Sequence, residues 1–224
     1  RHGAAADAPP ALRLTLAAGL LCNDGDIRRE ADGSTSRIGD PTETAIIAAA
    51  LDAGIDPGAV RAAMPRVAEN PFDSERKRMS TLHPAPTGRV PALAPLPQES
   101  PVAFVKGAVD GLLDHATHVW DGAAAVELSP DWRARIVAAN DALAGGGMRV
   151  LGVGYREVSG PEEAGVAETG LTLLGLVGII DPPRAEVREA VATCRAAGIR
   201  PVMITGDHPR TAARIAADPG ISAD

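Results

Sequence analysis

The stretch IRPVMITGDHPRTAARIAA, from Ile199 to Ala217, runs an apolar segment into Thr205-Gly206-Asp207 and then into a helical pattern. The apolar residues from Ile199 to Ile204 predict a strand. The segment before it, from Ala185 to Ala197, predicts a helix that ends at Gly198. With the apolar strand predicted at 171–180, the order is strand, helix, strand, which is typical of α/β architecture and predicts an α/β fold.

The turn at Thr205-Gly206-Asp207 has two interpretations. In open α/β sheets ligands bind beyond the carboxyl ends of strands, and helix N-termini favour anions. A hydroxyl of Thr205 could donate to a phosphoryl oxygen there, and Gly206 would let the backbone approach the ligand closely. Asp207 could equally serve only as the cap of the following helix. Spacing alone leaves both interpretations open.

Composition excludes several classes of protein. The 224 residues are 45% hydrophobic and only 2% aromatic, so each aromatic position is informative. The net charge of -7 argues against a nucleic-acid partner, because the chain has no basic stripe to neutralise phosphates. The two cysteines, Cys22 and Cys194, lack metal-type spacing and favour a reducing, cytosolic environment. No apolar run approaches the roughly 20 residues that span a bilayer.

The first part of the chain predicts helices. The segment from Ala11 to Cys22 has the pattern of an amphipathic helix. A second helix begins after Gly39, where Asp40 suits the cap, Pro41 the first helical position and Glu43 the acid of a capping box.

The remainder predicts strands and further helices. Strands are predicted around Phe72 and at 79–82, 102–105, 148–153 and 171–180, and helices at 108–118 and 130–143. Six prolines between Pro84 and Pro101 predict a long loop. The prolines of Asp181-Pro182-Pro183-Arg184 mark a stiff junction, which places a domain boundary there.

Taken singly, the candidate site residues all have ordinary explanations. Phe72 could stack on a base or belong to the core. Lys106, beside Gly107, could meet a phosphate or a ring, although a solvated lysine before a turn is the commoner case. Lys77 is more typical of a solvated strand face, and Glu43 is explained as a cap.

Taken together, six segments carry a resemblance. In chain order they are GDPTETAI, FDSERKRMS, FVKGA, GMRVLGVGYR, GIIDPPR and MITGDHPRTA. This series resembles the cytosolic part of P-type cation-transporting ATPases, most closely their calcium-pump-like branch, over nearly the whole chain. The resemblance implies an α/β protein in two parts. Residues 1–180 would form an α+β nucleotide-binding domain with a central antiparallel sheet. Residues 181–224 would form part of a haloacid-dehalogenase-like, parallel α/β phosphorylation domain.

The resemblance also implies a site for the base of ATP. Phe72 would stack on the adenine, and Glu43 would contact its edge. Lys106 would line the same pocket, where Gly107 would give the base room. Lys77 would lie at the side of the pocket.

A second set of residues would meet the phosphates. Arg149 would pair with the phosphates of the nucleotide, a task that suits its fork of donors. Asp181 and Arg184 would act at the hinge between the two domains. Thr205-Gly206-Asp207 would surround the transferred γ-phosphoryl group, with Thr205 as a preorganised donor.

The chain departs from the family pattern in two ways. Ser74 stands where the family often has an arginine, and Arg76 is a candidate substitute. The family's phosphorylated aspartate lies in a DKTGT segment and a magnesium-binding aspartate in GDGVNDAP, and neither occurs in these 224 residues. We therefore expect ATP and ADP to bind, the Mg²⁺ ligands to lie elsewhere in the full-length protein, and the chain alone to turn over nothing.

The implied partners are ATP or ADP and the rest of a pump, with its transmembrane and actuator domains. The chain would be a soluble, cytoplasmic domain of an integral membrane protein that couples ATP hydrolysis, through an aspartyl-phosphate, to cation transport. The transported ion stays open. Three alternatives remain: a stand-alone nucleotide-binding or regulatory module, a dehalogenase-type phosphatase, for which a nucleophile motif is missing at a strand end, and a decayed remnant without a ligand.

Overall fold

A computed structural model describes residues 8–29, 35–88, 90–160, 168–180, 185–204, 216 and 220–221, without the side chains of Arg29 and Ala185. The helices are α1 (Pro10–Leu21), α2 (Pro41–Asp52), α3 (Pro57–Ala63), α4 (Val109–His115), α5 (Pro130–Gly145) and α6 (Ala185–Ala196), with a 3-10 helix at Pro91–Leu93. The strands are β1 (Asp26–Arg29), β2 (Thr35–Ile38), β3 (Ala68–Asp73), β4 (Arg78–His83), β5 (Val102–Gly107), β6 (Ala116–Trp120), β7 (Ala125–Glu127), β8 (Arg149–Glu157) and β9 (Leu171–Ile179).

The strands form two sheets. β1 and β2 make an antiparallel pair, and the other seven strands form one sheet in the order β3-β4-β5-β8-β9-β6-β7. The pairs from β3 to β8 and the pair β6–β7 are antiparallel, whereas β6 and β9 run parallel. This large sheet with its helices confirms the predicted mixed α/β fold class. The haloacid-dehalogenase-like part and the boundary at position 180 stay predictions.

The chain divides into two compact units. The first comprises the described residues within 1–135 and 151–177, and the second those within 136–150 and 178–224. Among the described residues, no helix is both long and apolar enough to cross a membrane.

Helix α1 lies inside the first unit. All eight residues from Leu14 to Leu21 are buried, because the helix packs against α2, α3, β5 and the 3-10 helix. The prediction of an amphipathic helix is therefore wrong for the last eight residues of α1, which have no solvent-facing side. The all-round apolar composition is typical of a helix that is buried.

The proline-rich segment contributes to the same core. Leu93 and Leu96 are 1% and 3% exposed, and the short helix that begins at Pro91 packs against α1. Prolines disfavour strand and α-helix here, as predicted. The segment is thus a packed part of the first unit rather than a connection that merely crosses its surface.

Two predicted elements differ from the structure. The helix predicted to reach His118 ends at His115, because Ala116–Trp120 forms β6 and pairs with both β7 and β9. In the second unit, the strand predicted from Ile199 to Ile204 is absent, and Ile204 is 95% exposed. A strand needs a neighbour for its backbone hydrogen bonds, and none pairs with these residues in the described part of the chain. By contrast, α6 ends as predicted, since Gly198 has a φ of +74°.

His83 is a buried histidine at the end of β4. Its Nδ1 lies 2.8 Å from the carbonyl oxygen of Met64, which can only accept, so Nδ1 carries the proton. Its Nε2 lies 2.9 Å from the hydroxyl of Thr81. Burial, with the nearby positive charge of Arg66, lowers the pKa of His83 to about 4. The ring is therefore neutral in the folded protein at neutral pH.

We expect His83 to make the fold sensitive to acid. Because its pKa is lower in the folded than in the unfolded chain, its contribution is complete above pH 6.5 and is lost as the pH falls towards 4. The loss should reach about 3 kcal/mol of unfolding free energy. Urea unfolding followed across this range should show a shallower pH dependence for His83→Gln than for wild type. The exposed His118→Gln serves as the control, and an unchanged slope in His83→Gln would contradict the prediction.

Candidate functional site

The hairpin of β3 and β4 contains a bulge that carries Phe72. Asn70 pairs with Ser80 and Asp73 with Arg78, so β3 holds one residue more than β4 between these two pairs. Phe72 lies in this irregular part and is 64% exposed. The other phenylalanine of the chain, Phe104, is 0% exposed. The interpretation of Phe72 as a core residue is therefore wrong, whereas stacking on a base stays a prediction.

The turn after Phe72 is held by Asp73. Its carboxylate accepts hydrogen bonds from the backbone amides of Arg76 and Glu75, at 2.8 and 2.9 Å, and these bonds lower the pKa of Asp73. Lys77 closes the turn in the left-handed region, with a φ of +53° and its amide bonded to the carbonyl of Asp73. Lys77 is exposed, as expected for a solvated lysine.

Gly107 lies where β5 passes the end of this turn. A Cβ on Gly107 would lie 2.5 Å from both the carbonyl oxygen of Lys77 and the Cβ of Arg78. Close approach of two strands thus already requires glycine here. These contacts within the chain do not test whether Gly107 leaves room for a base, and that role stays a prediction.

Lys106 forms a buried ion pair with Glu43. Its Nζ lies 2.6 Å from Oε1 of Glu43, and the two side chains are 6% and 15% exposed. The interpretation of Lys106 as a solvated lysine was wrong, because the regular pairing of β5 with Met79 on β4 and Val153 on β8 holds it inside the sheet. Phe72 lies two strands away, with backbones about 10 Å apart.

Glu43 is not part of a capping box. Asp40 caps α2 by accepting from the amide of Thr42 at 2.7 Å. The second oxygen of Glu43 accepts from the amides of Asp24 and Gly25, at 2.6 and 3.0 Å. The carboxylate therefore ties the loop before β1 to Lys106, instead of reaching back along its own helix.

The loop that Glu43 holds is fixed from its other side as well. Arg66 contacts the Asp24 carboxylate and the Asn23 carbonyl, both at 2.6 Å, while Asn23 is 3% exposed. Just before the loop, burial raises the pKa of the Cys22 thiol to about 11. Cys22 is therefore an uncharged thiol. The loop itself, held by Glu43 on one side and Arg66 on the other, borders the Glu43–Lys106 pair.

Glu168 joins a cluster that sequence reasoning missed. Its carboxylate receives hydrogen bonds from Arg76, Arg78 and Ser80, and Ser80 in turn accepts from Asn70. The guanidinium of Arg76 is bound to Glu168. This contact argues against the prediction that Arg76 takes the place of the family arginine at position 74. Because Glu168 lies about ninety positions along the chain from its partners, the only local signal for a carboxylate partner is the three consecutive basic residues from Arg76 to Arg78.

The remaining predicted site residues are placed only in part. Arg149 is exposed at the start of β8, within the second unit. Asp181 and Arg184 lie outside the described residues, as does Thr205-Gly206-Asp207. The structure thus brings Glu43 and Lys106 into contact, joins Lys77 and Gly107 at one turn, and exposes Phe72 on the adjoining strand. The exposed ring of Phe72 offers a flat apolar face to a ligand, and the ion pair of Lys106 begins two strands away in the same sheet.

Known proteins match this chain over most of its length. A family model described as P-type ATPase, cytoplasmic domain N, matches residues 11–186. A calcium-transporting ATPase of Bacillus subtilis is 39% identical over 210 residues, which are 92% of this chain and 22% of that protein. A probable cation-transporting ATPase F of Mycobacterium tuberculosis is 40% identical over 221 residues, or 96% of this chain and 22% of that protein. The chain therefore spans about a fifth of the length of these relatives, and the matches confirm the resemblance that the six segments indicate.

Proposed function

Because the chain belongs to the P-type cation-transporting ATPases, we propose that its first unit binds ATP and ADP, with the adenine stacked on Phe72. The observation that carries this proposal is the exposure of Phe72, 64%, on the hairpin bulge. An exposed phenylalanine on a fixed strand offers a flat apolar face, and stacking a base on it removes that face from water.

The neighbouring residues support an adenine rather than an arbitrary aromatic ligand. Lys106, two strands from Phe72 in the same sheet, forms a polar pair with Glu43, and both side chains are held in place by their contacts. A carboxylate oxygen can accept from the exocyclic amine of adenine, while an ammonium can donate to a ring nitrogen. Lys77, at the exposed turn, would flank the nucleotide, and Gly107 would border the base.

The phosphate part of the proposal rests on the resemblance. Arg149 would pair with the phosphates, Asp181 and Arg184 would act at the hinge, and Thr205-Gly206-Asp207 would meet the γ-phosphoryl group. For the full-length protein we propose coupling of ATP hydrolysis, through an aspartyl-phosphate and with Mg²⁺, to cation transport across a membrane. The transmembrane and actuator domains of that pump would be the partners of this chain.

Replacing Phe72 tests the proposal directly. Phe72→Ala should weaken ADP binding by about 10- to 100-fold, since stacking a base on an aromatic side chain is worth about 1–3 kcal/mol. Phe72→Trp should retain most of the affinity, because indole also offers a stacking face. Isothermal titration calorimetry of the purified chain measures both.

Val67→Ala provides the matched control. Val67 lies just before β3, is 53% exposed, and bonds through its backbone to Leu82. Its truncation removes exposed apolar surface from the same hairpin without touching the bulge, so ADP affinity should not change. Equal affinities for wild type and Phe72→Ala would overturn adenine stacking on this residue.

A further inference from the structure

We propose that Glu168 is a positioning residue for Phe72: it holds Arg76 in place, and Arg76 holds the backbone of the bulge that presents the ring. The proposal deepens the nucleotide site and rests on the proposed function for its effect on binding. Its effect on Phe72 itself can be measured without any nucleotide.

The first step is the anchoring of Arg76. One guanidinium nitrogen of Arg76 lies 2.5 and 2.6 Å from the two carboxylate oxygens of Glu168. The carboxylate is 8% exposed, while the Arg76 side chain is 35% exposed. The buried partner is thus the fixed one, and the long arginine side chain, which would otherwise sample many rotamers, is restrained by it.

The second step is the contact from Arg76 to the bulge. The other terminal nitrogen of Arg76 donates to the carbonyl oxygen of Pro71 at 2.8 Å. Pro71 immediately precedes Phe72, in the part of β3 where the regular pairing with β4 is interrupted. Since the ladder is irregular there, this side chain replaces the support that a strand normally takes from its neighbour.

The third step is the rigidity of the cluster. Arg78 donates to Glu168 at 2.7 Å and to the carbonyl of Arg76 at 3.1 Å, and Ser80 donates to Glu168 at 3.1 Å. Burial alone would raise the pKa of Glu168, but the hydrogen bonds from Arg76, Arg78 and Ser80 outweigh burial and hold that pKa below its usual value. The carboxylate is therefore charged at neutral pH and fully engaged by donors.

A merely structural cluster would add stability without affecting the ring of Phe72. The chain offers a direct way to separate the two roles, because Phe72 and Phe104 are its only phenylalanines. Incorporation of 4-fluorophenylalanine gives two ¹⁹F resonances, one from the exposed and one from the buried ring, which Phe72→Leu assigns. The Phe72 resonance then reports directly on how this ring is held.

We expect Glu168→Gln to shift or broaden the Phe72 resonance and to leave the Phe104 resonance in place. ADP affinity measured by calorimetry should fall about 5- to 10-fold, a part of the full stacking contribution. The control is Val119→Ala, which truncates a buried residue of β6 that is 4% exposed and lies five strands away from β3 in the sheet. It should lower stability while changing neither the Phe72 resonance nor the ADP affinity.

Arg76→Gln keeps the test decisive if Glu168→Gln does not fold. Arg76 is partly exposed, and its loss leaves Glu168 paired with Arg78. The same change in the Phe72 resonance is expected. Unchanged Phe72 resonances in the folded variants would overturn the positioning role. If wild type binds no ADP but the resonance shifts in the variants, the positioning role stands and the nucleotide proposal fails. A shifted resonance with unaltered ADP affinity would overturn the link to binding.

Discussion

Lys106→Met is expected to lower the free energy of unfolding by about 3 kcal/mol, because the largely buried carboxylate of Glu43 loses its cation and keeps only its two amide donors. The ammonium lies 2.6 Å from that carboxylate, and only 6% of the lysine side chain is exposed. Burial of one unpaired charge costs more than the pair contributes when intact. Urea unfolding monitored by circular dichroism measures the loss.

The chain contains a matched control, since Lys77 is its only other lysine. Lys77→Met alters an exposed side chain and should change stability by no more than about 0.5 kcal/mol. The double variant Glu43→Gln, Lys106→Met should recover much of what Lys106→Met loses, because no unpaired charge then remains. Similar losses in the two lysine variants would contradict the buried ion pair.

Phe104→Ala should be the other strongly destabilising change, with a loss of about 3–5 kcal/mol. Phe104 is 0% exposed in the middle of β5, and its ring centroid lies 5.4 Å from that of His83. Its truncation leaves a cavity that the regular strand pairing on both sides prevents from collapsing. Thermal and urea unfolding measure the loss.

Phe72→Ala removes the same group from an exposed position and should cost no more than about 0.5 kcal/mol of stability. The same substitution at the two phenylalanines therefore compares the stability contribution of a core residue with that of a candidate site residue. If Phe72→Ala destabilised the chain as much as Phe104→Ala, the ring of Phe72 would belong to the core, and the stacking proposal would lose its basis.

The sequence predicts the elements whose signals are local. Three of these signals come from neighbouring residues, and the structure confirms them: the cap at Asp40, the strand predicted at 79–82 and the end of α6 at Gly198. The strand Ala116–Trp120 was missed because pairing with β9 and β7 overrides the helical continuation of α4. Likewise, the strand predicted from Ile199 to Ile204 rests on apolar composition alone, which does not supply a pairing partner.

The candidate site shows the same division. The family-like segments single out Phe72 and Lys106, but single positions do not reveal burial, and the sequence around Lys106 favours a solvated side chain. The contact of Glu43 with the loop at Asp24 and the contact of Glu168 with Arg76 join residues far apart in the chain. No periodicity encodes such contacts, because they arise only when strands and loops pack together.

The bulge in β3 has a further consequence, because β3 is one of the two edge strands of the seven-stranded sheet. An open strand edge invites pairing with a strand of another molecule and hence aggregation. Pro71 has no amide hydrogen to offer such a strand, and the extra residue before Asp73 breaks the repeat that it would have to match. The irregularity that presents Phe72 therefore also helps to keep separate copies of the chain from joining edge to edge.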